Sequence, residues 1–473
     1  MKKIKAIVLI LSVILTVFSV NAQITLSPVL GNNMVMQRNS EVKIWGKANS
    51  NKKLKITTGW NKAVATVTSD EKGDWLVKVK TTEAGGPYII SIESGKEKIQ
   101  LENILLGEVW LCSGQSNMEM PVQGYGYQPV IGSADALLDA DNQSLRLFTV
   151  KKAPMATPQD ACNGKWEVAN AESVAKFSAV GYYYARLLQQ KLKVPVGIIC
   201  SSVGGTPIEA WMSSKALADF PEQFEKYKKA AAEQVRACHL YNGMIYPLLN
   251  YNIKGVLWYQ GEANRKDYMY YADLLKAMVT GWRSDFGVGE FPFYYVQIAP
   301  YSYGESNAPG TAFMRDAQLK AMSIIPNSGM VCTLDLGSES WIHPAEKQAV
   351  GKRLASWALA ETYGFKGLPY KSPTYKSMEV KDNLVTISFN DAQVGMTSFD
   401  KNVDCFELAG ADKIFYPAKM TPMNNEFRKI QVVSEKVQAP VALRYAFKNY
   451  PKTEGYLFGV TGLPVPSFRT DDY

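Results

Sequence analysis

The chain has 473 residues, which at about 100–200 residues per domain is enough for several domains with well-formed cores. Apolar residues make up 47% and charged residues 20%, which excludes a mainly disordered chain or a coiled coil. The 52 basic and 44 acidic residues give a net charge of +8 without a dense Lys/Arg stripe, so nucleic acid is not an expected partner.

The first 22 residues have the three-part pattern of a secretory signal peptide. Lysines stand at positions 2, 3 and 5, an apolar run covers 6–20, and Ala22 provides a small residue at the cleavage position. We therefore expect cleavage after Ala22 and a secreted or periplasmic protein. A membrane anchor is the alternative, but the run is short, and no later stretch is long and apolar enough to span a bilayer.

Residues 23–105 predict an N-terminal β domain. Apolar and polar residues alternate in short runs such as 42–44 and 76–80, which is typical of half-buried strands. Turn-forming clusters such as Gly85-Gly86-Pro87 separate the runs. A small β-sandwich is the expected architecture.

Residues 106–366 predict an α/β domain, because short buried runs alternate with segments of helical spacing. The buried runs are Val109–Cys112, Val196–Cys200, Gly255–Tyr259, Phe293–Val296 and Met330–Leu334. The helical segments are Ala179–Lys191, Tyr268–Phe286, Arg315–Ser323 and Pro344–Glu361. This alternation indicates a mainly parallel, doubly wound sheet, and residues 367–473 return to β-rich patterns.

Histidine and cysteine usage limits the chemistry. The chain has only two histidines, His239 and His343, which excludes a zinc site built from several histidines. The six cysteines form no CxxC pair, and we expect no metal or cofactor. Cys162 and Cys238 could pair in a secreted protein, and the sequence leaves that pairing open.

Ligands of doubly wound sheets bind beyond the carboxyl ends of the strands, and four polar segments fall there. The first, Gly114–Glu119, follows a buried run. Glycine lets the chain turn sharply, so Ser116 would present its hydroxyl and its own N–H at the sheet edge. A helix-capping box formed by Ser116 and Glu119 is the alternative.

The second segment, Ser202–Glu209, predicts the start of a helix. Thr206 is a good N-cap, Pro207 suits the first helical position, and Glu209 would complete a capping box. Backbone N–H groups at Gly205 and its neighbour near the positive helix end would suit a developing oxyanion.

The third segment, Trp258–Asn264, places amide and carboxyl groups after another buried run. The amides of Gln260 and Asn264 could donate to an oxyanion. Glu262 either acts as an acid or fixes the loop by hydrogen bonds, and the second interpretation is favoured.

The fourth segment, Asp335–Pro344, contains His343 directly before a helix that we expect to begin at Pro344. The positive helix end disfavours imidazolium, so the ring would be neutral and could act as a general base. A nucleophilic serine needs such a base, and the base needs an orienting group. His343 suits the role of the base for Ser116. Asp335 is the candidate for the group that orients the base, with Glu339 as the alternative.

Together the segments resemble the sialate O-acetylesterase family, part of the SGNH (GDSL-like) hydrolase superfamily. The motifs that carry the resemblance are GEVW at 107–110, GQSNM at 114–118, GGTPIEAW at 204–211, YNGMI at 241–245, WYQGE at 258–262, IHP at 342–344 and PSFR at 466–469. The resemblance implies a flavodoxin-like, three-layer α/β/α hydrolase domain with flanking β-sandwich-like modules. It also implies removal of O-acetyl groups from sugars without a cofactor.

The resemblance further implies the roles of individual residues. Ser116 is the nucleophile and His343 the base, and the oxyanion hole combines the N–H groups of Ser116 and Gly205 with a side chain from the Gln260–Asn264 loop. In the common superfamily pattern an acid stands three residues before the histidine, where this chain has Ser340. A Ser–His dyad and an acid supplied by Asp335 therefore both remain open.

The expected substrate is an O-acetylated sugar, either sialic acid or a plant polysaccharide such as xylan or pectin. The carboxylate of sialic acid needs a cation, for which Arg265 and Arg315 are candidates, and Gln115 and Glu262 are further predicted substrate-binding residues. Two other functions compete with this one: carbohydrate binding without catalysis, and a glycosidase that uses Glu119 and Glu262 as its carboxyl pair.

Overall fold

The structure is a computed structural model that describes residues 24–423 and 426–473. The predicted signal peptide at 1–22 lies outside the described residues. Within the described part, none of the helices is long and apolar enough to cross a membrane. Along the chain, a β domain is followed by an α/β domain and then by a second β domain.

The N-terminal domain consists of strands joined by tight turns, as the alternating pattern predicts. The strands are β1 Thr25–Leu26, β2 Val35–Gln37, β3 Glu41–Lys47, β4 Lys53–Thr58, β5 Val64–Thr68, β6 Asp74–Lys80, β7 Gly85–Ser94 and β8 Glu97–Gly114. One sheet has the order β1-β3-β6, and in the other β5, β4, β7 and β8 pair in turn, with β2 also on β8. Inward-facing side chains such as Ile44, Ile56 and Ile92 are fully buried between them.

Strand β8 belongs to two domains. Its first half pairs with β7 of the N-terminal sheet, and its second half pairs with two strands of the central sheet. The domain boundary predicted between residues 105 and 106 therefore falls inside a continuous 18-residue strand. The sequence pattern misses this continuity because the alternation ends near residue 104, where β8 becomes buried on both faces.

The central sheet is parallel except at one edge, as the buried runs predict. It comprises β8 with β9 Asn142–Thr149, β10 Trp166–Ala169, β11 Val196–Ser202, β12 Gly255–Tyr259, β13 Phe293–Val296 and β14 Ser328–Val331. The strand order is β10-β9-β11-β8-β12-β13-β14, with β10 antiparallel to β9. The edge pair β9–β10 was not expected from the sequence.

Helices cover both faces of this sheet. They are α1 Ser116–Glu119, α2 Ser133–Leu138, α3 Ala171–Ala175, α4 Ala179–Leu192, α5 Pro221–Lys228, α6 Tyr268–Phe286, α7 Gly310–Ile324 and α8 Lys347–Trp357. The predicted bounds of α6 are confirmed, and the helix ends there because Gly287 adopts the left-handed φ of 63°. Helix α8 begins three residues later than predicted, so His343 lies in a loop rather than at the helix entry.

Aromatic side chains fill the two layers between sheet and helices. On one face, Trp258 packs edge-on against Trp282 of α6 at 5.9 Å between ring centroids. On the other, Trp110 packs edge-on against Tyr184 of α4 at 5.2 Å. All four rings are buried, and their burial contributes a large part of the hydrophobic stabilisation of the layers.

The C-terminal β domain contains β15 Thr374–Lys381, β16 Leu384–Asn390, β17 Met396–Thr397, β18 Phe406–Ala409, β19 Phe415–Pro422, β20 Lys429–Val433, β21 Ala442–Tyr445, β22 Phe458–Gly459 and β23 Phe468–Arg469. Seven of them form one antiparallel sheet, β15-β16-β20-β19-β18-β21-β23. All six cysteines of the chain are free and buried, so Cys162 and Cys238 are not bonded to each other.

Arg315 joins this domain to the α/β domain. The side chain is fully buried on α7 and donates to the hydroxyl of Ser467 at 2.9 Å and to the carbonyls of Ala446 at 3.2 Å and Lys448 at 2.6 Å. Its guanidinium is therefore occupied by the chain itself. The structure contradicts the expectation that Arg315 binds the substrate.

Replacing Arg315 by Gln should lower the free energy of unfolding by about 2–4 kcal/mol, because the shorter amide leaves buried carbonyl oxygens without a donor. Thermal and urea unfolding would measure the loss, with Arg428→Gln, an exposed arginine, as the control. Equal stability of the two variants would contradict the bridging role of Arg315.

Candidate functional site

The turn after β8 places Ser116 at the carboxyl edge of the sheet. Gly114 adopts a φ of 138°, and a Cβ there would lie 2.1 Å from the carbonyl oxygen of Tyr259, so only glycine fits. The chain then turns into α1, with Ser116 as its first residue. The hydroxyl-bearing residue is half-buried, whereas its neighbour Asn117 is buried.

Glu119 does not form the capping box that was the alternative for this segment. Position 115 is the N-cap of α1 and makes no side-chain cap bond. The Glu119 carboxylate instead accepts from the backbone N–H of Gly204 at 2.7 Å and pairs with Lys152 at 2.6 Å. This contact ties the segment of Ser116 to the Gly-Gly turn after β11.

The Gly-Gly turn faces Ser116. A Cβ on Gly204 would lie 3.3 Å from the Cβ of Ser116, and Gly205, exposed with a φ of 71°, has open space where a side chain would be. The backbone N–H groups of Ser116 and Gly205 make no hydrogen bond to any described residue. Two free donors therefore stand beside the Ser116 hydroxyl.

The capping box predicted after this turn is absent. Residues 208–211 form a short 3₁₀ helix whose N-cap is Pro207, without a side-chain cap bond. The Thr206 hydroxyl donates to the carbonyl of Val203 at 2.7 Å, and the N–H of Ile208 is bonded by Asn264 at 2.9 Å instead. The cap comes from a neighbouring loop, which local sequence could not show.

The amides of Gln260 and Asn264 are used within the protein. Gln260 donates to the carbonyl of Thr206 at 3.1 Å and to the side-chain oxygen of Asn264 at 2.7 Å, and accepts from Tyr271 at 2.8 Å. Asn264 donates to Glu209 at 2.9 Å. Both side chains are fully buried. They shape the loop, and the structure does not present them to Ser116 as the predicted oxyanion donors.

Gln115 has a similar supporting role. Its side-chain oxygen accepts the backbone N–H of Ala263 at 3.2 Å, and the side chain is 3% exposed. The predicted substrate-binding residue thus fixes the third loop to the first. Arg265, the other predicted cation, is half-buried and lies 4.5 Å from the ring centroid of Tyr303.

His343 lies in the loop before α8 and is oriented by a residue that the sequence analysis missed. Its Nδ1 is 2.6 Å from Oε1 of Gln128. Because a carbonyl oxygen can only accept, Nδ1 carries the proton and the lone pair is on Nε2. The ring also packs edge-on against Tyr125, at 5.3 Å between centroids.

Gln128 is held in a tight turn of the segment after α1. Tyr125 and Gln128 pair as an isolated antiparallel β-bridge, and Gly124 adopts a φ of 82°. A Cβ on Gly124 would lie 2.7 Å from the carbonyl oxygen of Gln128, so the turn requires glycine. The glutamine thereby occupies the place that an acid holds in a Ser–His–acid triad.

Two sets of contacts connect the His343 loop to the Ser116 turn. The side chain of Asn117 donates to the carbonyl of Ile342 at 3.1 Å, and the hydroxyl of Tyr125 donates to the carbonyl of Ser116 at 3.3 Å while its ring contacts His343. No hydrogen bond joins the Ser116 hydroxyl and the imidazole among the described residues, as is common before substrate binds.

Neither predicted acid meets His343. The carboxylate of Asp335 forms a two-bond ion pair with Arg353 at 2.8 and 2.6 Å. Glu339 accepts from Ser306 at 2.7 Å and pairs with Lys452 at 2.8 Å. Each acid is neutralised by a cation of its own, and the ring of His343 is bonded to the amide instead.

A buried charged cluster lies behind the two loops. The amide nitrogen of Asn117 donates to Glu262 at 2.5 Å, and its oxygen accepts from the ammonium of Lys347 at 2.5 Å. Lys347 is fully buried, and its nitrogen lies 5.5 Å from the ring centroid of Tyr259. The Glu262 carboxylate therefore bonds within the protein, and its predicted role in substrate binding stays a prediction.

Burial shifts the protonation of this cluster and of the imidazole. Desolvation raises the pKa of Glu262 and lowers the pKa of Lys347 to about 7, and the opposite charge of each partner counteracts both shifts. Burial and, to a smaller degree, the charge of Lys347 lower the pKa of His343 to about 4. The imidazole is therefore neutral at neutral pH, by desolvation rather than by the helix end.

Among the described residues, no group of three or more His, Cys, Asp or Glu side chains could hold a metal ion. The residues that sequence reasoning missed are Gln128 and Lys347. A lone glutamine in a Gly-rich turn gave no signal. Lys347 stands four residues after the histidine, and a lysine there suggests an exposed helix face.

Comparisons with known proteins agree on one family. A family model described as "Carbohydrate esterase, sialic acid-specific acetylesterase" matches residues 106–360. The sialate O-acetylesterase of Homo sapiens is 29% identical over 489 residues, covering 93% of this chain and 91% of that protein. The Rattus norvegicus enzyme is likewise 29% identical, with 93% of each chain covered.

A solved structure resembles nearly the whole chain. It is a carbohydrate acetylesterase from Xanthomonas citri, with a TM-score of 0.87 and 32% sequence identity. The similarity covers 95% of this chain and 100% of that one, so it includes both flanking β domains.

Replacing Asp335 by Asn should lower the free energy of unfolding by roughly 2–3 kcal/mol, because the charge-assisted bonds to Arg353 are weakened. The NMR titration of the His343 ring should stay unchanged, since Asp335 does not contact it. Glu339→Gln, whose ion pair is exposed, is the control and should change neither quantity appreciably. A shifted His343 titration in Asp335→Asn would restore Asp335 as the orienting acid.

Proposed function

Because the chain belongs to the family of sialic acid-specific carbohydrate acetylesterases, it is a carboxylic-ester hydrolase, and we propose that it removes O-acetyl groups from sugars with Ser116 as the nucleophile. The observation that carries the proposal is the meeting of three loops: the Ser116 turn, the Gly204–Gly205 turn and the His343 loop. We assign the α/β domain to the SGNH hydrolases on the same basis.

The geometry supports a two-step acyl transfer. Nε2 of His343 accepts the proton of the Ser116 hydroxyl as Oγ attacks the acetyl carbonyl carbon. The bond between that carbon and the sugar oxygen then breaks, and the imidazolium returns the proton to the sugar. Water, activated by the same imidazole, hydrolyses the acetyl-serine and releases acetate. Gln128 holds Nδ1–H throughout, which keeps Nε2 available.

Two backbone N–H groups are available to stabilise the negative charge of the tetrahedral intermediate. The N–H groups of Ser116 and Gly205 are free and lie at adjacent turns, and the Glu119–Gly204 bond fixes one turn against the other. Each such donor contributes about 10²–10³ in rate in hydrolases of this kind. Gln260 and Asn264 contribute indirectly, by holding the Thr206–Ile208 backbone in place.

A cationic cleft beside the site favours an acidic sugar. A cavity of about 270 Å³ borders Glu119 and Tyr125, and the lysines at 151, 152 and 176 line it. Lys152 pairs with Glu119, and Lys176 with Glu172, while Lys151 has no acidic partner among the described residues. A carboxylated sugar such as sialic acid would find this cation near the nucleophile, so we propose sialic acid ahead of neutral polysaccharides.

The proposal includes secretion. Its support is the pattern of the first 22 residues, where lysines, an apolar run and Ala22 follow in the order of a cleaved leader. Removal of acetate from extracellular glycans would then take place outside the cytoplasm.

Ser116→Ala should reduce acetate release at least about 10³-fold, because no other described hydroxyl occupies the turn. The assay compares 9-O-acetyl sialic acid with acetylated xylan for the mature chain, and we expect the acidic sugar to have the higher kcat/KM. The variant should keep the fold of the wild-type protein, which circular dichroism would verify. Acetate release that persists in Ser116→Ala would refute the assignment of Ser116 as the nucleophile.

Gln128→Ala should lower kcat up to about 100-fold with a small change in KM, because the imidazole loses its orienting bond while the sugar contacts remain. Gln123→Ala, an exposed glutamine on the same segment, is the matched control. Steady-state kinetics on one acetylated sugar would measure both. A kcat equal to that of the control would show that His343 needs no orienting group.

A further inference from the structure

The positions of Ser116 and His343 depend on one amide that none of the expected catalytic roles uses. All the polar atoms of the Asn117 side chain are bonded: the nitrogen to Glu262 and to the carbonyl of Ile342, the oxygen to Lys347. Asn117 is 1% exposed and follows Ser116 directly. A single buried side chain thus connects the nucleophile segment, the 260–264 loop and the histidine loop.

The two buried charges that Asn117 contacts, on Glu262 and Lys347, are unfavourable for folding, so a role other than stability is expected for them. Lys347 is fully buried and Glu262 is 4% exposed, and Oε2 of Glu262 has no hydrogen-bond partner. Burying a carboxylate and an ammonium removes both from water at a large cost in free energy, so a well-packed apolar pair would serve stability as well or better. The cluster is therefore better explained by the position and charge that it gives to its neighbours.

We propose that Asn117, Glu262 and Lys347 form a positioning unit that holds the His343 loop against the Ser116 turn and places the Lys347 cation near the imidazole. The inference rests on the proposed function and extends it. The unit takes over one task of the missing triad acid, because it fixes where the histidine stands through the carbonyl of Ile342.

Burial is the main cause of the low pKa of His343, and Lys347 is the charged group that adds to it. From the segment after α1, Tyr125 and Gln128 contact the ring, and both are uncharged at neutral pH. Lys347 is the first residue of α8, four positions after His343, and its pKa of about 7 means that it is charged wherever His343 titrates. A cation opposes protonation, so the active neutral ring persists to lower pH.

The test replaces both ions by amides. Lys347→Gln with Glu262→Gln keeps hydrogen-bonding groups around Asn117 and leaves no unpaired buried charge. The acidic limb of kcat/KM against pH and the NMR titration of the His343 ring should both move upward by about half to one pH unit, because the opposing cation is gone. kcat on the plateau should fall several-fold and KM should stay within about twofold. Lys352→Gln, exposed on the same helix, is the control.

The titration is simple to observe because the chain has only two histidines, and His239→Gln leaves one signal. A folded double variant whose limb and titration both match the control would overturn the inference. If the double variant does not fold, Asn117→Ala decides, because it removes the bonds that join the three loops. A kcat several-fold below that of the control with KM unchanged supports the positioning unit, and a kcat equal to that of the control overturns it.

A parallel Ser116→Ala measurement separates the two proposals. Activity lost in Ser116→Ala together with an unmoved limb in the double variant refutes only the positioning unit. Activity retained in Ser116→Ala refutes the proposed function. The effect of the Lys347 charge on His343 is then tested by comparing the NMR titration of the ring in the double variant and in the control.

Discussion

The site depends first on the parallel register of three neighbouring strands. Gly114 at the end of β8 lies opposite Ser202 of β11 and Tyr259 of β12, so three loops leave the sheet at one level. Strands pair by backbone hydrogen bonds, and a shift of one residue would turn every side chain to the other face. The contacts among the loops presuppose this alignment.

The loops above that edge are joined by hydrogen bonds between polar groups of different loops. Glu119 reaches Gly204, Asn264 caps the turn at Ile208, and Asn117 reaches Ile342. Buried polar networks of this kind specify one arrangement strongly when every bond is made. The result is a site in which amides orient the reacting groups, while the acids Asp335 and Glu339 are held apart by cations of their own.

Sequence pattern predicts the strands well because burial on both faces leaves a continuous apolar run, as in Val196–Cys200 and Gly255–Tyr259. It also identifies Ser116 and His343 as unusual residues at strand ends. It fails where a partner lies far along the chain. The bond between His343 and Gln128 spans 215 positions, and the bond between Lys347 and Asn117 spans 230. Local propensity contains no information about such pairs, so amides that look like donors to substrate proved to be structural.

Strand β8 joins the N-terminal β domain directly to the α/β domain. Its eighteen residues run without a linker from the N-terminal sheets to Gly114, two residues before Ser116. The two domains are therefore joined by sheet pairing on both sides of the boundary rather than by the exposed, flexible linker that separates independent modules, so a rotation of one domain against the other would have to bend a paired strand.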